Sequence, residues 1–257
     1  MPMPESVNPS PAQEASNADK ISAARQRLIV ALDVPSATAA FDLVDRLDGA
    51  CQWFKVGLEL FTAAGPSVVE ELAVRGHSVF LDLKFHDIPN TVAGAVRSAA
   101  SLGARLLTIH AAGGPAMLSA AQKALEGLEN APQLLAVTVL TSMDNEQLQA
   151  VGTPRSPSEQ VELLARTVIE AGIQGFVCSP QEVAALRALV GPKAVLVVPG
   201  IRPAGADAGD QKRLATPADA LRAGASYLVV GRPITQSPDP AKAAETILNE
   251  MAGICIR

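Results

Sequence analysis

The stretch Asp82-Leu83-Lys84-Phe85-His86-Asp87-Ile88-Pro89-Asn90-Thr91 follows directly on the apolar run Ser78–Leu81. If that run is a β-strand, alternate side chains share a face, and Asp82 and Lys84 project in the same direction. Asp33 closes an earlier apolar run and Lys55 lies within a second. Carboxylates and ammonium groups brought together in this way can hold an amine charged and aimed, stabilise developing negative charge and move a proton. The ordinary alternative is a set of solvated strand-end charges or structural ion pairs, the common fate of any one such group. Four of them converging on one opening weigh against it.

A second group of residues suits an anion. Pro199-Gly200-Ile201-Arg202 and Gly231-Arg232-Pro233 each pair glycine, which lets backbone N–H groups approach an oxygen, with arginine, a forked cation. Glycine turns with surface arginines would look the same singly, but the two together predict a phosphorylated substrate. The polar stretch between Arg202 and Pro217, with Gly205, Gly209 and Gln211, is long for a connection in a compact domain and reads equally as a lid or as a surface loop.

Positioning these residues is the work of alternating elements. Short, largely β-branched runs are predicted as strands at Leu28–Val34, Trp53–Leu58, Ser78–Lys84, Leu106–Ala111, Leu134–Leu140, Gly175–Ser179, Ala194–Ile201 and Tyr227–Ile234, with amphipathic segments between them. Among the helix signals, Ser158 is expected to cap a segment whose apolar face is Val161, Leu164, Ala165, Val168 and Ile169 and which stops at Gly172. Asp239-Pro240 opens the last helix with a cap and a first-position proline. Eight strand-helix units in 257 residues predict an α/β fold of the closed (β/α)8 (TIM barrel) kind, one catalytic domain over residues 25–257. Asp33-Val34-Pro35-Ser36 stands where a dinucleotide-binding fold would carry GxGxxG. In a barrel, chemistry sits at the C-terminal strand ends, where the charged residues fall. Residues 1–24, rich in Pro, Ser, Asn and Ala without apolar periodicity, are expected to be a disordered extension.

Composition narrows the function further. The chain is 48% apolar, 3% aromatic and carries a formal charge of -5, so it offers little for stacking bases or tracking a phosphate backbone, and no nucleic acid partner is expected. No apolar run approaches the roughly 20 residues that span a bilayer, and the N-terminus lacks a secretory apolar stretch, so a cytoplasmic protein without membrane contact is expected. Cys51, Cys178 and Cys255 show neither CxxC spacing nor a clustered His, so they are expected to be reduced packing thiols rather than a disulfide framework or a metal site. His77, His110 and Trp53 read as packing or surface residues.

DLKFHDIPNT resembles the motif of the orotidine 5'-monophosphate decarboxylase family in its compact bacterial form. ALDV with Asp33, FKVG with Lys55, LTSM from Leu140, PGIRP from Pro199, GDQ ending at Gln211 and VGRPIT from Val230 are similar to family motifs in family order, from about Leu28 to Leu248. The resemblance implies a cofactor-free and metal-free decarboxylation of orotidine 5'-monophosphate. Lys84 would be the proton donor to C6 of the pyrimidine, within a charge network of Asp33, Lys55, Asp82 and Asp87 around the carboxylate and the ribose hydroxyls. Thr91 would help to hold the ribose, with Ile88 beside it, and Thr141 and Ser142 would lie at the substrate. Arg202, Gln211, Gly231 and Arg232 would hold the phosphate and the closed lid. It also implies a homodimer with shared active sites, Asp87 reaching into the partner's site.

Two rivals remain. A metal-dependent sugar-phosphate decarboxylase or aldolase on the same barrel shares the Asp-x-Lys-x-x-Asp pattern but carries a metal-binding Glu where this chain has Lys55, and an ammonium cannot ligate magnesium. A silent phosphate binder would keep the Arg232 region and lose Lys84 or its aspartates, all of which are present.

Overall fold

Each barrel strand divides its side chains between two cores, and this division carries the site. A computed structural model describes residues 11–254, apart from Asp48 and residues 204–213. Its strands are β1 (Leu28–Ala31), β2 (Trp53–Gly57), β3 (Ser78–Phe85), β4 (Leu106–His110), β5 (Gln133–Val137), β6 (Gly175–Val177), β7 (Val195–Val198) and β8 (Tyr227–Val230). All pair in parallel in sequence order, and β8 closes on β1. The barrel expected from the sequence is therefore the observed fold, with strand ends that differ by a few residues.

Outward-facing Leu28, Val30 and Leu32 join the large core between strands and helices. Their neighbours Ile29 and Ala31 face inward with Trp53, Phe80, Leu106, Leu135, Val197 and Val229, which fill the barrel. A large apolar side chain buried in this way stabilises by roughly 1.5–3 kcal/mol. Continuing the same alternation by two residues carries Ala31 to Asp33, Trp53 to Lys55 and Phe80 to Asp82. The layer above the apolar plug is thus charged because the inward period is kept while the residue type changes. Trp53 sits in the plug edge-on to Tyr227, with ring centroids 5.1 Å apart, as a packing residue. At the β5–β6 junction, a Cβ on Gly175 would lie 2.2 Å from the Leu134 carbonyl oxygen, so only glycine permits that approach.

The helices show both agreement and departure. Asp239 caps Pro240–Ala252 as expected, its side chain accepting from the Lys242 N–H. The helix Pro157–Glu170 is capped by Ser156, not Ser158. Ser156 is the residue with an acid three positions on, so it and Glu159 form a reciprocal capping box around Pro157 at the first position. The N-terminal segment differs more. A helix runs over Pro11–Arg25, where residues up to 24 were expected to be disordered. Ala24 is fully buried and Ile21 packs against the main core, so tertiary contact supplies what local composition lacks. Residues 1–10 and Cys255 lie outside the described residues.

Cys51 and Cys178 are buried, and burial pushes the Cys51 thiol up to about 12. His77 packs edge-on to Phe54. His110, also read as a packing or surface residue, packs beside the ring of His86, with centroids 5.3 Å apart.

Candidate active site

Above the apolar plug the barrel opens into a cavity of about 570 Å³. Its wall includes Asp33, Lys55, Asp82, Lys84, Thr141, Arg202, Gly231 and Arg232, the greater part of the residues singled out in the sequence.

The four charged groups near β1, β2 and β3 form a chain of alternating sign. Lys55 Nζ lies 2.8 Å from Asp33 Oδ1 and 3.7 Å from Asp82 Oδ2, and Lys84 Nζ lies 2.8 Å from Asp82 Oδ1. Exposed pairs of this kind stabilise a fold by at most about 1 kcal/mol, and buried ones repay their desolvation poorly. With the Lys55 and Asp82 side chains only 11% and 12% exposed, stability does not account for placing the chain at a cavity wall.

Local geometry makes room for it. A Cβ on Gly57 would stand 2.7 Å from Lys55 Nζ and 3.3 Å from Asp33 Oδ1, so the absent side chain leaves the space that this ion pair occupies. Lys84 reaches Asp82 differently from simple strand alternation. Between Leu81 and Phe85 the pairing with β4 shifts: Leu81 aligns with Leu107 and Phe85 with Ile109, so four residues advance against two. Within this irregularity Lys84 has φ +51°, a left-handed conformation rare for a side chain of its kind. Its backbone N–H donates to Thr108 Oγ1 at 2.8 Å, and that hydroxyl donates to Asp82 Oδ1 at 3.1 Å. Thr108 is fully buried and was not singled out in the sequence.

Arg202 and Arg232 line the same cavity from the ends of β7 and β8, and β8 lies beside β1. Arg202 follows β7, where an isolated bridge between Ile201 and Ala215 and the bond from Arg202 N–H to the Ala215 carbonyl tie together the two ends of the segment read equally as a lid or a surface loop. Gln211 lies outside the described residues. Arg232 opens the turn Arg232–Thr235 after Gly231. Thr235 and Gln236 also line the cavity, and Val137, Val139 and Cys178 face it from the β5 and β6 side. The sequence carried a signal for the two valines, inward by alternation from Leu135, but none for Gln236.

Asp87, Ile88, Thr91 and Ser142 are not on the cavity wall. All four are exposed, and Asp87 accepts the Ile88 N–H through Oδ1. Among the described residues no three His, Cys, Asp or Glu side chains converge in a way that could hold a metal ion, and no helix is long and apolar enough to cross a membrane.

The family model described as Orotidine 5'-phosphate decarboxylase / HUMPS family matches residues 26–247. The chain belongs to this family. It is 55% identical over 234 residues to the orotidine 5'-phosphate decarboxylase of Moorella thermoacetica, covering 89% of this chain and 93% of that protein. It is 53% identical to that of Nitrosococcus oceani, covering 90% and 99%. Among solved structures, the orotidine 5'-phosphate decarboxylase of Lactobacillus acidophilus superposes with a TM-score of 0.77 at 39% identity, covering 88% of this chain and 98% of the other. The family's matched region contains every charged group of the site and leaves the whole N-terminal helix Pro11–Arg25 outside it.

Proposed function

We propose that this protein is a carbon-carbon lyase that converts orotidine 5'-monophosphate into uridine 5'-monophosphate and carbon dioxide in de novo pyrimidine synthesis. The observation that carries the reading is the chain Asp33, Lys55, Asp82, Lys84 lining the same cavity as Arg202 and Arg232.

Loss of carbon dioxide from C6 leaves an electron pair in the plane of the pyrimidine, where it cannot delocalise into a carbonyl. Stabilisation must then be electrostatic. The Lys84 ammonium, held by Asp82, stands beside C6, favours the developing carbanion and delivers a proton to it. C6–CO₂⁻ becomes C6–H, and the amine recovers its proton from solvent. Lys55 and Asp33 bind the ribose hydroxyls and keep the charges alternating. Thr141, on the cavity wall, meets the base, and Arg202, Gln211, Gly231 and Arg232 hold the phosphate. Binding energy spent on the distant phosphate then appears as rate.

The same reading assigns Asp87, Ile88 and Thr91 to the site of a second subunit in an isologous homodimer. Their exposure away from the chain's own cavity supports it, as does the 67% exposure of Ile88, large for an apolar side chain. Cys51 and Cys178, neither of them in a disulfide, suit a cytoplasmic location.

The purified protein, given orotidine 5'-monophosphate in excess chelator, should lose substrate absorbance at the rate seen without chelator. Activity that vanishes with EDTA and returns with magnesium would favour the metal-dependent sugar-phosphate branch instead.

A further inference from the structure

We propose that Thr108, on β4, is the positioning residue that sets Lys84 and Asp82 relative to one another, an inference that rests on the decarboxylase reading above. The Thr108 hydroxyl is the one side-chain group, among the contacts described, that bonds both residues. It has a single proton, and its two partners leave no choice of direction. The Lys84 N–H can only donate to it, and the ionised Asp82 carboxylate can only accept from it. The hydroxyl therefore works as a fixed relay between a backbone amide and a carboxylate oxygen.

Its two bonds act on different features. The bond to the Lys84 N–H is made in the place where β3 and β4 lose register, so it replaces a ladder bond at the residue whose backbone is left-handed. The bond to Asp82 Oδ1 falls on the same oxygen that receives Lys84 Nζ. Thr108 thus holds the lysine at its backbone and, through Asp82, at its amine. Complete burial keeps water from substituting for the hydroxyl. β-branching adds to this, because it restricts χ1 and the hydroxyl has few other directions to take. Its inward neighbour Leu106 belongs to the apolar plug, so the side chain stands on the boundary between plug and charged layer.

Thr108→Val keeps shape and removes both bonds, whereas Thr108→Ser keeps both and removes a methyl group. The Val variant should lose about 10- to 100-fold in kcat, the scale of a misplaced reacting group, with KM changed by no more than about threefold. The Ser variant should retain kcat within about threefold of wild type. Hydrogen exchange of the Lys84 amide should be faster in the Val variant and unchanged in the Ser variant, whichever substrate the enzyme uses. If the Val variant does not fold, Thr108→Cys, with a weakly bonding thiol of similar size, replaces it in every comparison. Wild-type kcat in the folded Val or Cys variant overturns the proposal, even if the amide loosens. So does a Ser variant as slow as the Val variant, since the methyl group and not the hydroxyl would then matter. Wild-type protein that does not decarboxylate orotidine 5'-monophosphate refutes the functional reading alone, and the exchange comparison then decides the positioning role by itself: an unchanged Lys84 amide in the Val variant overturns it.

Discussion

Lys84 Nζ stands 2.8 Å from Asp82 Oδ1 across an irregularity in the strand that carries both. Regular alternation would already turn the two side chains to one face. The left-handed backbone at Lys84 means that the amine is delivered by a special conformation, stabilised from the neighbouring strand, and not by strand geometry alone.

Lys84→Ala should therefore reduce turnover by several orders of magnitude while the thermal transition stays near that of wild type. The side chain is partly exposed and its ion pair adds little to folding. Each factor of ten corresponds to about 1.4 kcal/mol of lost barrier stabilisation. A variant with a tenth of wild-type turnover in a steady-state assay would remove Lys84 from the chemistry.

Gly57→Ala tests the space around the Lys55–Asp33 pair. The added Cβ meets the flexible end of Lys55, so the ammonium moves and the fold survives. Turnover should fall by about tenfold or more, with little change in the melting temperature. Unchanged kcat and KM would show that Lys55 need not sit between its two carboxylates.

Shared sites can be tested by subunit exchange. Lys84→Ala and Asp87→Ala proteins, each nearly inactive, should regain activity when mixed, because one site of the heterodimer combines an intact Lys84 with an intact Asp87. Mass spectrometry confirms that exchange has occurred. Heterodimers that stay inactive would assign Asp87 to its own chain's surface.

Two histidines predict a pH dependence of stability. Burial lowers His110, with the charges of His86 and Lys84 acting in the same direction, and burial with Arg75 lowers His77. The folded protein thus binds these protons less readily than the unfolded chain, whose histidines titrate near 6.5. Their contribution is complete above that pH and is lost as pH falls through 6.5 towards the lowered folded values. The melting temperature should drop over this window, and the His77→Asn, His110→Asn double variant should drop less. Parallel curves for the two proteins would assign the loss to other groups.

The sequence by itself determined the strand order, the inward period and the change from apolar to charged residues at the strand tops, because these depend on spacing along one segment. The eight runs, the placement of Asp33, Lys55 and Asp82 two residues beyond the plug, and the arginines after β7 and β8 were all legible in this way. Tertiary structure alone decided which groups meet across strands. Thr108 reads as one polar residue in an apolar run, and its partners are 24 and 26 residues away. Only the β3–β4 register brings them together. The helix Pro11–Arg25 was missed for a related reason: its own composition is weak, and the burial of Ala24 and Ile21 that holds it is supplied by residues far along the chain. Local periodicity can direct a side chain inward, but the closure of the barrel determines what it finds there.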